Sequence, residues 1–522
     1  MARHVLNGEW PAFFWGQAFK GVPEVFAAAG AFTMFGSSVT VLKSVTLAFF
    51  AAYVALNFVL LDRIASRWIA VSASLLLIAA PPALVFWSLD ASAEYVLIML
   101  LGTTLLLLAD PDSLAVRDRA EGSGQRAGTF QLLAIGLVIG AGLWVHQLFV
   151  VYLIPLGVMI SLRNDWRKVF RPATLNRFAF VLGTIASIYL LLGVIAFVTG
   201  GFSLRLGSIA ISATAPQKMA RIAIGVLALA AVAQVASTAT RTQMRDTARR
   251  YWPAAVGFFI GYSPVLLYSV LVEPARSPAR VANLQQLMSA GPDLLGNIVP
   301  ILAGFKFPPT TERLPLPAIA AAPLVTALLA FLWSSRGRLL TDFFALFVIF
   351  YPLLFLASGA YLDTQSYRYF IPWYAGLSVA SAVGSLALAG MVRLSAVARG
   401  IHASSGATRS SLGEGGKPDT TYHQAVATAL VVAVVSVNLW QQAIWYQRLQ
   451  PDTQSLATIE CLKRNGIRGG YAEYWTAYKL TFLAREEVII APLDGVDRYP
   501  RYTEFVRSLP VQARTSDAAR CN

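Results

Sequence analysis

The chain has 522 residues, 56% of them hydrophobic and only 13% charged. A soluble domain carries about twice that share of charge to cover its surface, so water is excluded as the main solvent. The formal charge of +15 is large enough to suit a nucleic-acid partner, but the placement of the bases, taken up below, excludes one.

In chain order, residues 8–24 come first, dense in aromatic residues, Gly and Pro (Trp10, Phe13, Phe14, Trp15, Pro23). They read as an irregular loop at a membrane interface within an extracytoplasmic segment 1–37. Apolar blocks of roughly twenty residues follow, the length needed to cross about 30 Å of hydrocarbon at about 1.5 Å per residue. They predict about a dozen transmembrane helices, over 38–60, 68–87, 91–108, 130–145, 147–162, 178–199, 220–239, 254–272, 317–334, 342–359, 371–391 and 424–441. The fourth and fifth share only Val145-His146-Gln147 and must turn tightly. Two connectors, 109–129 and 400–421, are rich in Gly, Ser and charge and read as flexible linkers. A longer loop is expected over 273–316. The fold class is therefore an all-α polytopic membrane protein, and the alternation of a transmembrane barrel is missing.

Residues 442–522 read as a small extracytoplasmic α/β module beyond the transmembrane domain 38–441. A helical pattern covers 452–465, an aromatic stretch 471–478 and a β-like run 488–492. The two cysteines of the chain, Cys461 and Cys521, both fall here. A disulfide between them is one reading and two thiols the other. No metal site, cofactor or divalent cation can be assigned, because four histidines and two distant cysteines have no metal-ligand spacing.

Arg63 and Arg67, Arg163 to Arg177, Arg241 to Arg250, Arg336 and Arg338, and the stretch from Arg393 to Lys417 fall in connectors that share one side of the membrane. The positive-inside rule makes that side cytoplasmic. The basic excess is then topology, and both ends of the chain lie outside the cytoplasmic membrane. An outside N-terminus with no apolar stretch before it leads to the expectation that an initial helix precedes Met1, the alternative being that residues 24–60 insert as a hairpin with the N-terminus translocated.

Function is sought on the outer face. Glu24 and Lys20 precede an apolar stretch there, and Glu24 is the candidate general base on a sugar hydroxyl. Asp90 and Glu94 flank a span end, as solvated carboxylates or as binding groups. His146 sits in the tight hairpin, where a backbone-bonded imidazole is the plainer alternative to a substrate contact. Arg368, next to Tyr369, can hold a phosphate bidentately.

These residues carry a resemblance. Ala2 to Gln17 with Gly21-Val22-Pro23-Glu24 resembles the first extracytoplasmic loop of bacterial GT-C membrane glycosyltransferases, the protein-mannosyltransferase and aminoarabinose-transferase-like group. Residues 137–155 are similar to its glycine-rich helical hairpin, Ser366 to Pro372 to its Arg-Tyr-x-x-Pro element, and Tyr471 to Phe482 to a C-terminal element. The resemblance implies transfer of a sugar from a polyprenyl-phosphate carrier to a glycan, lipid or protein acceptor, with Glu24 as base and Arg368 and Lys20 on the phosphate. The chain departs from the group in starting after the first helix and its acidic pair. A transporter or flippase of lipid-linked sugars, and a noncatalytic relative, are the alternatives.

Overall fold

The computed structural model describes residues 1–91, 94–109, 124–163, 181–189, 202–206, 209–213, 238–272, 284–308, 312–339, 342–357, 364–403 and 420–514, with scattered positions over 219–229. The expected spans 178–199 and 220–239 and both linkers fall largely outside these residues, as does Cys521, while Cys461 is described and is disulfide-bonded. Among the described residues six helices are long and apolar enough to cross a membrane, or seven if one bent pair is counted as a span.

The N-terminal segment is ordered and regular, which corrects the expected irregular loop. After α1 (Ala2–Leu6), strands β1 (Phe13–Phe14) and β2 (Gln17–Gly21) pair antiparallel. Gly16 turns the hairpin at φ 60°, a conformation glycine adopts without steric cost. Pro23 then opens α2 (Pro23–Phe35), where its missing N–H costs nothing.

Helix α3 (Val39–Ile64) starts at Ser38, whose hydroxyl accepts the Val41 N–H, and α4 (Arg67–Ile78) starts in the same way at Ser66. The block expected as one span over 68–87 is broken. It bends by 76° between α4 and α5 (Pro82–Leu89), because Pro81 and Pro82 cannot continue the hydrogen-bond ladder. Carbonyls freed in hydrocarbon need partners. Asn438 donates to the Ala79 carbonyl at 2.8 Å and Gln442 to the Ala80 carbonyl at 2.7 Å. These two amides lie four residues apart, on one face of a later helix.

Helix α6 (Glu94–Leu108) leads to α7 (Gly124–Val145) and, across the short His146 turn, to α8 (Val150–Arg163); further on, β3 (Phe202–Leu206) and β4 (Ile209–Ala213) pair antiparallel. Helix α7 packs closely on α9 (Thr238–Leu271). A Cβ at Gly136 or Gly140 would strike the backbone of Ala254 or Phe258, and one at Gly257 or Gly261 the backbone of Leu133 or Leu137. Reciprocal small residues four apart let two helix backbones touch where lipid offers no hydrophobic drive. The outer side of α9 leaves Val270 83% and Leu271 76% exposed. Such faces fit acyl chains and not water, and the chain is a multi-pass membrane protein.

The expected loop 273–316 contains α10 (Leu284–Asp293), a π-helical turn Leu294–Ile298 and α11 (Val299–Leu302). Beyond it come α12 (Ala322–Ser335), α13 (Phe343–Ala357), a 3₁₀ stretch Thr364–Trp373, α14 (Tyr374–Ala403) and α15 (Thr420–Arg448). Gly384 in α14 meets the Ala327 carbonyl of α12 in the same backbone-close manner.

After α15 the chain forms α16 (Thr453–Arg464), β5 (Gly469–Ala472), α17 (Tyr474–Leu483), β6 (Ile489–Pro492), α18 (Pro500–Ser508) and β7 (Ala513–Arg514). The strands are parallel in the order β6-β5-β7, with Ile459, Leu462, Leu480, Val488 and Ile490 in their own core. Residues 1–21 dock on this unit. Trp15 stacks on Tyr499 at 4.0 Å, His4 Nε2 lies 2.9 Å from the Tyr502 hydroxyl, and Arg501 pairs with Glu9 at 3.0 Å. The two segments therefore share one side of the membrane.

Candidate functional site

The end of β2, the α5–α6 turn, the α7–α8 turn and the 3₁₀ stretch before α14 converge beside the docked N-terminal hairpin. Lys20, on β2, reaches Glu94 at the start of α6, with Nζ 2.9 Å from Oε1. Both side chains are buried, at 10% and 7% exposure. A pair this dry persists only with good geometry and further partners. The Lys20 ammonium also lies 4.2 Å from the centre of the Phe14 ring. Glu94 is thus no solvated span-end carboxylate.

The backbone explains why the hairpin reaches this depth. Lys20 and His146 pair as an antiparallel bridge, and a Cβ at Gly21 would strike the Trp144 carbonyl. Only glycine lets β2 lie against the end of α7. Trp144 fixes the same contact by donating its indole N–H to the Ala12 carbonyl at 2.9 Å.

His146 caps the α7–α8 turn, its Nδ1 accepting the Leu148 N–H at 3.0 Å. Backbone bonding was one of the two readings of this residue, and the geometry adds to it. With Nδ1 accepting, neutral imidazole carries its proton on Nε2. Burial pushes the imidazole down to about 4, against a smaller upward pull from Glu94. His146 is therefore an uncharged member of a charged group. Its ring stands 6.4 Å from Tyr369 and 6.3 Å from Tyr95.

Arg368 lies in the 3₁₀ stretch, with its guanidinium 5.2 Å from the Tyr369 ring. Lys20, Glu94 and Arg368 all act electrostatically on His146, which brings four of the residues expected from sequence into one neighbourhood. Tyr369 joins them through Tyr95, at 6.1 Å.

Glu24 stands in the first turn of α2, where the helix N-terminus favours an anion. It is buried, and its Oε1 lies 3.5 Å from the Thr46 hydroxyl. The same hydroxyl donates to the Asp90 carbonyl at 2.8 Å, so Thr46 ties the Glu24 helix to the α5–α6 turn. Burial raises the Asp90 carboxyl above its usual range, Glu94 raises it further, and Lys20 and Lys43 oppose the shift. Thr46 and Lys43 were missed by sequence reasoning. The available signal was Lys43 inside an otherwise apolar block, where a charged group usually faces a site.

Chemically, the arrangement offers three carboxyl groups, two cations and a neutral imidazole. Among the described residues no group of three or more His, Cys, Asp or Glu side chains is placed to hold a metal ion.

No protein-family model matches the chain, and no curated protein matches it in sequence. In structure the chain is similar to ArnT from Cupriavidus metallidurans in the apo state, at 12% identity and a TM-score of 0.45, covering 99% of this chain and 82% of that one. It is similar to the same ArnT bound to undecaprenyl phosphate, at 12% identity and a TM-score of 0.42, covering 99% of this chain and 84% of that one. It is also similar to the Archaeoglobus fulgidus oligosaccharyltransferase, at 13% identity and a TM-score of 0.42, covering 92% of this chain and 56% of that one.

Proposed function

We propose that the chain is a membrane glycosyltransferase that moves a sugar from a polyprenyl-phosphate carrier to an acceptor on the extracytoplasmic face. The observation that carries this reading is the convergence of Glu24, Asp90 and Glu94 with Lys20 and Arg368 at one end of the helices, opposite the end where Arg63, Arg67, Arg336 and Arg338 lie. By the positive-inside rule the site end is outside.

Sugar transfer requires a base on the acceptor and positive charge on the departing phosphate. Glu24 takes the proton from an acceptor hydroxyl. That oxygen attacks the anomeric carbon, and the bond from the anomeric carbon to the phosphate oxygen breaks. Arg368 and Lys20 hold the phosphate and stabilise its growing charge. Glu94 keeps Lys20 at its post, and uncharged His146 adds an N–H donor without a second charge.

A transporter of the same lipid would use the helix break at residues 79–81 as its ion or substrate site. Here the side chains of Asn438 and Gln442 take the freed carbonyls, which favours a structural role for the break.

The test is donor binding. Titration of the purified protein in nanodiscs with undecaprenyl phosphate gives saturable binding, and Arg368→Ala weakens it about tenfold or more, the loss of one charge-assisted contact. Unchanged affinity in a folded Arg368→Ala protein removes the phosphate from this site.

A further inference from the structure

A second concave site lies between the N-terminal hairpin and the C-terminal module. It is a cleft of about 220 Å³ whose walls include Phe14, Trp15 and Gln17 from the hairpin and Tyr474, Glu486 and Arg498 from the module. Drug-sized ligands fill roughly 300–1,000 Å³, so this cleft suits something smaller.

Its chemistry is mixed in a definite way. Trp15 is a rigid platform, held by Tyr499 behind it at 4.0 Å and by the edge of His4 at 4.8 Å. Arg498 donates from Nη1 to the Gly16 carbonyl at 2.5 Å, while its Nε is buried without a hydrogen-bond partner. A buried donor left unmet is unfavourable. Glu486 is placed opposite in charge by a turn through the left-handed region, φ 56° at Arg485 and 67° at Glu486, which few residues adopt without need. Aromatic faces with a donor, an acceptor and the Gln17 amide around them match a sugar ring, which has an apolar C–H face and a rim of hydroxyls. Arg498 and Glu486 put groups of opposite sign on the walls, and the hydroxyl rim of an uncharged sugar can both accept from one and donate to the other.

The cleft is also next to the proposed reaction centre. Phe14 lines it and carries the Lys20 ammonium over its ring at 4.2 Å.

We infer that this cleft is a saccharide subsite that binds one uncharged sugar residue. Calling that residue part of the acceptor rests on the proposed transfer, but the binding itself does not.

The experiment is saturation-transfer NMR on the full chain in nanodiscs, with the methyl glycosides of glucose, mannose, galactose and N-acetylglucosamine as probes. At least one glycoside receives saturation. Tyr474→Ala and Gln17→Ala each weaken its binding about tenfold while keeping the melting temperature of the parent protein. Binding by none of the four, or binding that survives both substitutions in folded protein, overturns the inference. The measurement needs neither donor nor turnover, so a failed cleft leaves the transfer reading standing, and absent transfer leaves the cleft standing.

Discussion

Lys20 and Glu94 are 2.9 Å apart and almost out of contact with water. Removing one partner leaves the other charge buried and unpaired, at a cost of about 3–5 kcal/mol, whereas replacing both with apolar groups of similar size is close to neutral. Lys20→Ala therefore lowers the thermal midpoint sharply, and Lys20→Met combined with Glu94→Met restores most of it. Scanning fluorimetry in detergent reads both. Equal losses in the single and double variants would show that the pair's geometry matters more than its charge. The sequence displayed each of these residues as a polar group near a span end and could not pair them, since 74 positions of the numbering separate Lys20 from Glu94. Arg368 was legible because an arginine beside an apolar block has few other uses. Thr46 was not, because a single threonine inside a span resembles ordinary helix filling until its partners are known.

At the scale of elements, the broken helix is held by side chains from α15. Asn438→Ala and Gln442→Ala each leave a carbonyl without its amide partner in the membrane interior, a cost of about 1–3 kcal/mol apiece. The double variant loses less than the sum, because the amides share one break. Thermal melting of the two single variants and the double variant checks this. Loss below a few tenths of a kcal/mol in both singles would mean that other groups satisfy the break. The long apolar helices were readable from block length alone, as was the helix over 452–465, now Thr453–Arg464. Pro81-Pro82 announced a break in sequence but not its 76° angle, which depends on which neighbour can take the freed carbonyls. The hairpin Phe13–Gly21 was illegible as strand because its pairing is sealed from outside, by Gly21 against Trp144 and by the module against Trp15.

For the whole molecule, the membrane character followed from composition, while the union of the two distant ends did not. Residues 1–21 and the C-terminal unit meet through His4, Glu9, Glu486, Tyr499 and Tyr502. The hydrogen bond from His4 holds the Glu486 carboxyl below its usual value of 4.5 despite partial burial. A carboxyl depressed in the folded state binds fewer protons there than when unfolded. Its stabilisation is complete above about pH 4.5 and is lost as the pH falls below that value. Melting followed from about pH 6 down to about pH 3 should show that decline, and Glu486→Gln should make the slope shallower; an unchanged slope would place the acid sensitivity elsewhere.

The same union brings the hairpin carrying Lys20, and with it Glu24, to the end of the helices where Arg368 waits. Sugar transfer by that assembly is the central claim. It is tested most directly in membranes supplied with a labelled polyprenyl-phosphate sugar, comparing the parent chain with Glu24→Gln. The account predicts donor-dependent labelling of acceptor by the parent, and a fall of roughly 10²–10⁴-fold in Glu24→Gln protein that inserts and binds donor normally. Transfer at the parental rate by Glu24→Gln would contradict it.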